Sequence, residues 1–146
     1  MIDTESQEIV VTTDPSRLDL DVIHGYLARS YWAQGIPRDV VARAMAHSLC
    51  FGALAGDRQV GFARVISDRA TFAYVCDVFV LESHQGRGVG KRLMAAIMSH
   101  PDLQGLRRLA LFTRDAHGLY RQYGFGETRF PDRFMDVFNA APYGAV

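Results

Sequence analysis

Cysteine is scarce in this 146-residue chain, and the two present, Cys50 and Cys76, show neither metal-ligand nor Cys-x-x-Cys spacing. A disulfide framework or a cysteine-held metal is therefore not expected; buried free thiols in a reducing cytoplasm are. Excess charge of either sign is also lacking, because 16 Lys and Arg balance 16 Asp and Glu. That argues against a broad nucleic-acid or anionic-membrane surface and leaves room only for a local basic patch. No apolar run approaches the roughly 20 residues that span a bilayer. The opening MIDTESQEIVV has no basic region followed by an apolar one, so no secretory signal is expected. Repeats, linkers and low-complexity tracts are missing. What is present, 49% hydrophobic and 22% charged residues, suits one compact domain over residues 1–146.

Periodicity divides that domain into elements. Residues 8–12 (EIVVT) read as a short strand, ended by Asp14-Pro15-Ser16. Residues 19–31 read as a helix with Val22, Ile23, Tyr26 and Leu27 on one face and Asp19 or Asp21 near its start. After the break at Gln34-Gly35-Ile36-Pro37, Pro37 opens a second helix to about residue 48. Residues 49–55 and 59–67 form a hairpin around Gly56-Asp57-Arg58. Residues 71–81 make a long strand, 88–98 a third helix stopped before Pro101, and 107–113 a further strand. Asp115 is placed as the N-cap of a short helix over 116–123, which Gly124 ends. Residues 126–130 and 134–138, split by Pro131-Asp132, read as the last strands. This order suits an α/β (α+β) domain, a mixed sheet with helices on both faces.

The most informative stretch is residues 72–92, FAYVCDVFVLESHQGRGVGKR. A strand feeding a glycine-rich helix start presents bare backbone N–H groups and the positive end of the helix dipole to a phosphate. A Walker A loop needs four residues between its first glycine and Gly-Lys; here three separate Gly86 from Gly90-Lys91, and Arg92 follows. A G-x-G-x-x-G fingerprint would put its third glycine on Lys91 or Leu93. What remains is Q/R-x-x-G-x-G at Gln85, Gly88 and Gly90, preceded by Val78-Phe79-Val80. This resembles the acetyl-CoA pyrophosphate loop of the GNAT superfamily of N-acetyltransferases. A second motif agrees: AHGLYRQYGF places Ala116, Leu119, Tyr120, Gly124 and Phe125 as in the family's A-x-x-L-Y-x-x-x-G-F helix. Departures are Glu82 where a proline is frequent, Gln85 where Arg is, and Thr113 where Asn is. None removes a backbone N–H.

The resemblance covers nearly the whole chain. It implies a mostly antiparallel central sheet of six to seven strands with about four helices. It also implies acetyl-CoA as co-substrate, with no metal, and direct attack by a primary amine of a small molecule or peptide in a ternary complex. Gln85, Gly86, Arg87, Gly88, Val89, Gly90 and Lys91 would surround the pyrophosphate, while Phe79 and Val80 offer strand backbone to the pantetheine arm. Arg87, Lys91 and Arg92 either pair with phosphates or are solvated helix charges. Tyr120 occupies the position whose phenol protonates the departing thiolate; Tyr123, one turn on, is read as packing.

Asp77 interrupts an apolar strand and is the candidate base, with a structural acceptor role weighed equally. Strand alternation would place it with Val75 and Phe79, opposite Tyr74, Cys76 and Val78. Glu82 and His117 are weaker bases, and Cys76 a weaker nucleophile still. Tyr31 and Trp32, beside the Gly/Pro bend, either wall an apolar or cationic acceptor or pack the helix on the sheet. Phe130, Arg133 and Phe134 would close the other side. Two rival functions stand: a non-catalytic CoA-binding sensor or interaction domain, and an acyltransferase using another acyl-CoA. An exposed C-terminal strand edge would allow a homodimer.

Overall fold

The computed structural model describes residues 7–144. Residues 1–6, on which the leader expectation partly rests, and the last two positions of the expected domain lie outside the described residues.

One sheet runs in the order β1 (Ile9–Thr12), β2 (Leu49–Ala55), β3 (Arg58–Ser67), β4 (Phe72–Val80) and β5 (Arg108–Leu111). Pairing is antiparallel from β1 to β4 and parallel between β4 and β5. The parallel pair needs a crossover, which α3 (Val89–Ser99) provides. The other helices are α1 (Leu20–Leu27), α2 (Arg38–Ala46) and α4 (His117–Arg121). Val89, Leu93, Met94 and Ile97 bury one stripe of α3 against Phe51, Ala53, Val65 and Val75. Ile23, Leu27 and Val41, from α1 and α2, cover the opposite face with Phe62 and Phe79.

The mixed, mostly antiparallel sheet and the four helices agree with expectation, but the sheet has five strands rather than six to seven. Residues 126–130 and 134–138 form none. Pro131–Arg133 is a 3-10 turn, and beyond it Met135 is 90% and Val137 103% exposed. Apart from Phe134 against Phe112, the apolar side chains of 134–138 meet little surface, so little burial offsets the entropy of ordering a strand.

Local chemistry sets the helix ends. Asp19 Oδ1 accepts from the N–H groups of Asp21 (3.0 Å) and Val22 (3.2 Å), capping α1. That helix stops at Leu27, short of the expected residue 31, because the Ser30 hydroxyl donates to the Leu27 carbonyl (2.7 Å) and accepts from Ala33 N–H (3.1 Å). Tyr31 and Trp32 are thereby released into the loop before α2. At α4 the expected Asp115 cap is not formed: Ala116 stands at the N-cap with no side chain capping the helix, and Thr113 Oγ1 accepts from Ala116 N–H at 2.9 Å just before it.

Strand β4 carries a bulge. Phe62 pairs with Phe79 and Arg64 with Cys76, so Asp77 and Val78 together oppose Ala63. Asp77 adopts φ +53°, a left-handed conformation uncommon for a residue with a Cβ. The extra residue reverses the strand's alternation. Ala73 and Val75 before it, and Val78 and Val80 after it, all pack toward α3, whereas Phe79 packs toward α1 and α2. Asp77 therefore does not share a face with Val75, as simple alternation predicts. Its carboxylate meets Arg64 and Trp32 on the α1 side.

Candidate functional site

The last β4–β5 pair is Val75 with Leu111, yet β4 continues through Val80. Past that point the two strands separate, and a cavity of about 800 Å³ opens between them. Residues 74–80 line its floor, residues 29–32 one wall, and residues 112–116 with Leu119 and Tyr120 the other. A wedge of strand backbone without a neighbour on the β5 side is suited to an extended, amide-bearing ligand.

At one end the cavity reaches Gly90 in the first turn of α3. Gly86 (φ +77°) and Gly88 (φ +80°) both lie in the left-handed region, and a Cβ at either would meet no protein atom within 4 Å. The glycines are thus required by the backbone's shape, and the space beside them is open to a ligand. Gly88 caps an eleven-residue helix with no side-chain acceptor on its first N–H groups, leaving donors suited to an anion. Gln85 braces the loop by donating from Nε2 to the Val80 carbonyl (2.9 Å). Val89 is buried against Gly61, so it anchors the loop rather than facing the cavity. Arg87 and Lys91 are exposed beside the glycines. These residues fit a pyrophosphate, the adjoining wedge fits a pantetheine arm, and together they fit acetyl-CoA. Phe79 contributes only backbone here, because its ring stacks on Tyr26 at 4.1 Å on the other face.

The other end is aromatic. Trp32 and Tyr31 meet edge to face at 5.1 Å, and the Arg114 guanidinium lies 3.7 Å over the Tyr31 ring. Across the cavity, Tyr74 meets Phe112 at 5.9 Å, and Phe112 meets Phe134 at 5.4 Å. Asp77 lies between. Its Oδ1 accepts from Trp32 Nε1 (3.0 Å) and its Oδ2 from Arg64 Nε (2.8 Å), while Arg64 Nη1 donates to Ser48 Oγ (3.0 Å).

Tyr120 is 9% exposed and lines the same cavity. Burial, then the nearby Tyr31 and Asp115, raise its phenol above the ordinary value, so it carries its proton at neutral pH. Tyr123 instead donates to the Lys91 carbonyl (2.9 Å), tying α4 to α3. Burial pushes the Cys76 thiol up to about 12 and Cys50 up to about 11, which leaves both poor nucleophiles at neutral pH. Glu82 forms a two-pronged pair with Arg29 (2.6 and 3.1 Å) and does not line the cavity; nor does His117. Arg133 lies over Phe130 (3.7 Å) outside it. Among the described residues no group of three or more His, Cys, Asp or Glu could hold a metal ion, and no helix is long and apolar enough to cross a membrane.

Sequence reasoning missed Arg64, Tyr74, Phe112 and Arg114. Arg64 had a signal: it interrupts the apolar run VGFARVI as Asp77 interrupts FAYVCDVFV, two opposite charges on strands of an expected antiparallel pair.

Comparison with known proteins assigns this geometry. The Acetyltransferase (GNAT) domain family matches residues 46–127. The chain is 35% identical over 136 residues to a candidate acetyltransferase of Gibberella zeae, covering 77% of this chain and 76% of that one. It is 30% identical over 130 residues to the Arabidopsis thaliana protein named GCN5-related N-acetyltransferase 1, chloroplastic, covering 84% and 64%. A crystal structure of a candidate GNAT-family acetyltransferase from Xanthomonas campestris pv. campestris superposes with a TM-score of 0.92 at 54% identity, covering 94% of this chain and 98% of that one. With its glycine loop, parted strands and family match in agreement, the chain belongs to the GNAT acetyltransferase family.

Proposed function

We propose that the protein transfers an acetyl group from acetyl-CoA to a primary amine of a small molecule or peptide by direct attack in a ternary complex. The observation that carries this reading is the continuous path from Gly90, beside the glycine loop, along the parted edge of β4 to Tyr120 and Asp77 in one cavity. Bound acetyl-CoA would supply an activated carbonyl. As the C–N bond forms and the C–S bond breaks, the acceptor ammonium loses two protons overall, one to the sulfur and one to solvent.

The chain's residues account for the rest. Backbone N–H groups at the start of α3 hold the anionic end. Tyr120 holds a proton at Oη for the departing sulfur. Asp77 is the proposed acceptor of the ammonium's proton: each oxygen accepts one bond and keeps a lone pair for the amine or a bridging water. The quiet thiols of Cys50 and Cys76 favour direct attack over an acyl-enzyme. Residues 29–32 and 112–116 enclose the acceptor and limit water.

Calorimetry with acetyl-CoA, followed by thiol release against an amine panel, tests the proposal. Binding with turnover supports it. Binding without turnover on any amine favours the sensor reading, and faster thiol release from a longer acyl-CoA favours the other donor.

A further inference from the structure

We propose that the acceptor is a primary amine carried on a planar aromatic body, without a second cationic group, seated between Tyr31–Trp32 and Tyr74–Phe112. This names the substrate class for the transfer reading above and rests on it. Trp32 is 41% exposed and Phe112 68% exposed, although both lie in a concavity. Large rings left wet inside a cleft mark a surface that a ligand covers. The two ring pairs line the same cavity, one on the loop after α1 and one on the sheet edge, so a flat body seated there would meet rings from both elements.

The first wall is held in place before any ligand arrives. Trp32 is fixed through its indole N–H on Asp77, and Tyr31 lies under Arg114. Rigid rings bind with little entropic loss.

Charge narrows the class further. Each carboxylate lining the cavity is already matched by an arginine: Asp77 by Arg64 at 2.8 Å, Asp115 by Arg114 at 3.8 Å. Arg29, on the same wall, is in turn paired with Glu82 outside the cavity, so the lining offers no unmatched carboxylate to a second cation. One ammonium can still reach a spare lone pair on Asp77, but a polyamine or aminosugar would desolvate further cations with no unmatched carboxylate to meet them. An alkyl amine avoids that cost but gains nothing from ring stacking.

The chain's single tryptophan is Trp32, so its emission reports on this wall directly. Protein saturated with CoA is titrated with 2-phenylethylamine, hexylamine and spermidine while Trp32 emission is followed. Thiol release from acetyl-CoA is then measured with the same three amines. The expected result is an emission change with 2-phenylethylamine and a kcat/KM about 10-fold or more above the other two. Phe112→Ala should erase that preference while calorimetric CoA binding persists. Equal or faster turnover of spermidine or hexylamine overturns the aromatic acceptor and leaves acetyl transfer standing. An emission change with 2-phenylethylamine but no thiol release from it or from any amine of the panel supports the aromatic pocket and overturns the transfer reading.

Discussion

Trp32 and Asp77, 45 positions apart in sequence, are joined by a 3.0 Å hydrogen bond from the indole Nε1 to Oδ1. The bond couples the acceptor wall to the strand that would carry the cofactor. Asp77 therefore has two separable tasks, accepting a proton and holding Trp32. Asp77→Asn keeps the side chain's size and an oxygen for the indole but removes the base. It should lower kcat/KM about 100-fold and flatten the low-pH limb of the rate profile, with Trp32 emission unchanged. An unaltered limb together with a raised amine KM and shifted emission would assign Asp77 to holding the wall alone.

The partner of Asp77 makes a stability prediction. Asp77 and Arg64 side chains are 12% and 17% exposed, so the pair is mostly withdrawn from water. Arg64→Met leaves a carboxylate without its cation and should cost about 3 kcal/mol in urea unfolding. Adding Asp77→Asn to that variant should recover part of the loss. A cost in the double variant equal to the sum of the two single-variant costs would show the pair uncoupled.

Tyr120→Phe removes one oxygen from a buried ring and leaves its packing on Phe125 in place. Turnover should fall about 100-fold while acetyl-CoA binding measured by calorimetry stays within error. Normal turnover would place the sulfur's proton donor elsewhere.

Gly88→Ala separates backbone shape from space. A Cβ there touches nothing, so the penalty of about 1–2 kcal/mol comes from φ +80° alone. Relief by rotation would swing the first N–H groups of α3 away from the cavity. CoA affinity should drop more than thermal stability does; a loss of stability with unchanged affinity would remove this loop from the binding site.

Glu82 supplies a pH prediction. Its hydrogen bonds from Arg29 lower its carboxyl to about 2 from an ordinary 4.5. A carboxyl lowered by folding stabilises the fold fully above its unfolded value, and that contribution is lost as pH falls toward the folded one. The window is therefore pH 4.5 down to about 2. Both side chains are more than half exposed, so the effect should stay below about 1 kcal/mol. Urea midpoints of the protein and Glu82→Gln should converge across that window, and a constant gap between them would refute the assignment.

The parts legible in the sequence were those encoded locally. The glycine spacing from Gln85 to Gly90, the Asp19 cap and the apolar stripe of α3 depend on neighbours within a few positions. Arg64 and Phe112 were missed because their meaning depends on what lies across a strand pair or cavity. The stretch around Phe134 to Phe138 failed for the same reason in reverse. An apolar, aromatic run such as FMDVF could be a strand by composition, whereas pairing and burial decide whether it becomes one. Asp77 was recognised as an anomaly, but its face was misassigned because period-two counting assumes no residue is extra.

That extra residue serves the site and not the packing of the strand. Glycine at 77 would accept φ +53° with ease and preserve the strand's course, whatever it did to the chemistry. Deleting residue 77 would leave a regular strand in which Val78 opposes Ala63, Val80 still pairs with Gly61, and both valines still face α3. The core and the glycine loop would keep their places, while the carboxylate that meets Trp32 and Arg64 would be gone. The sheet could lose position 77; the site could not.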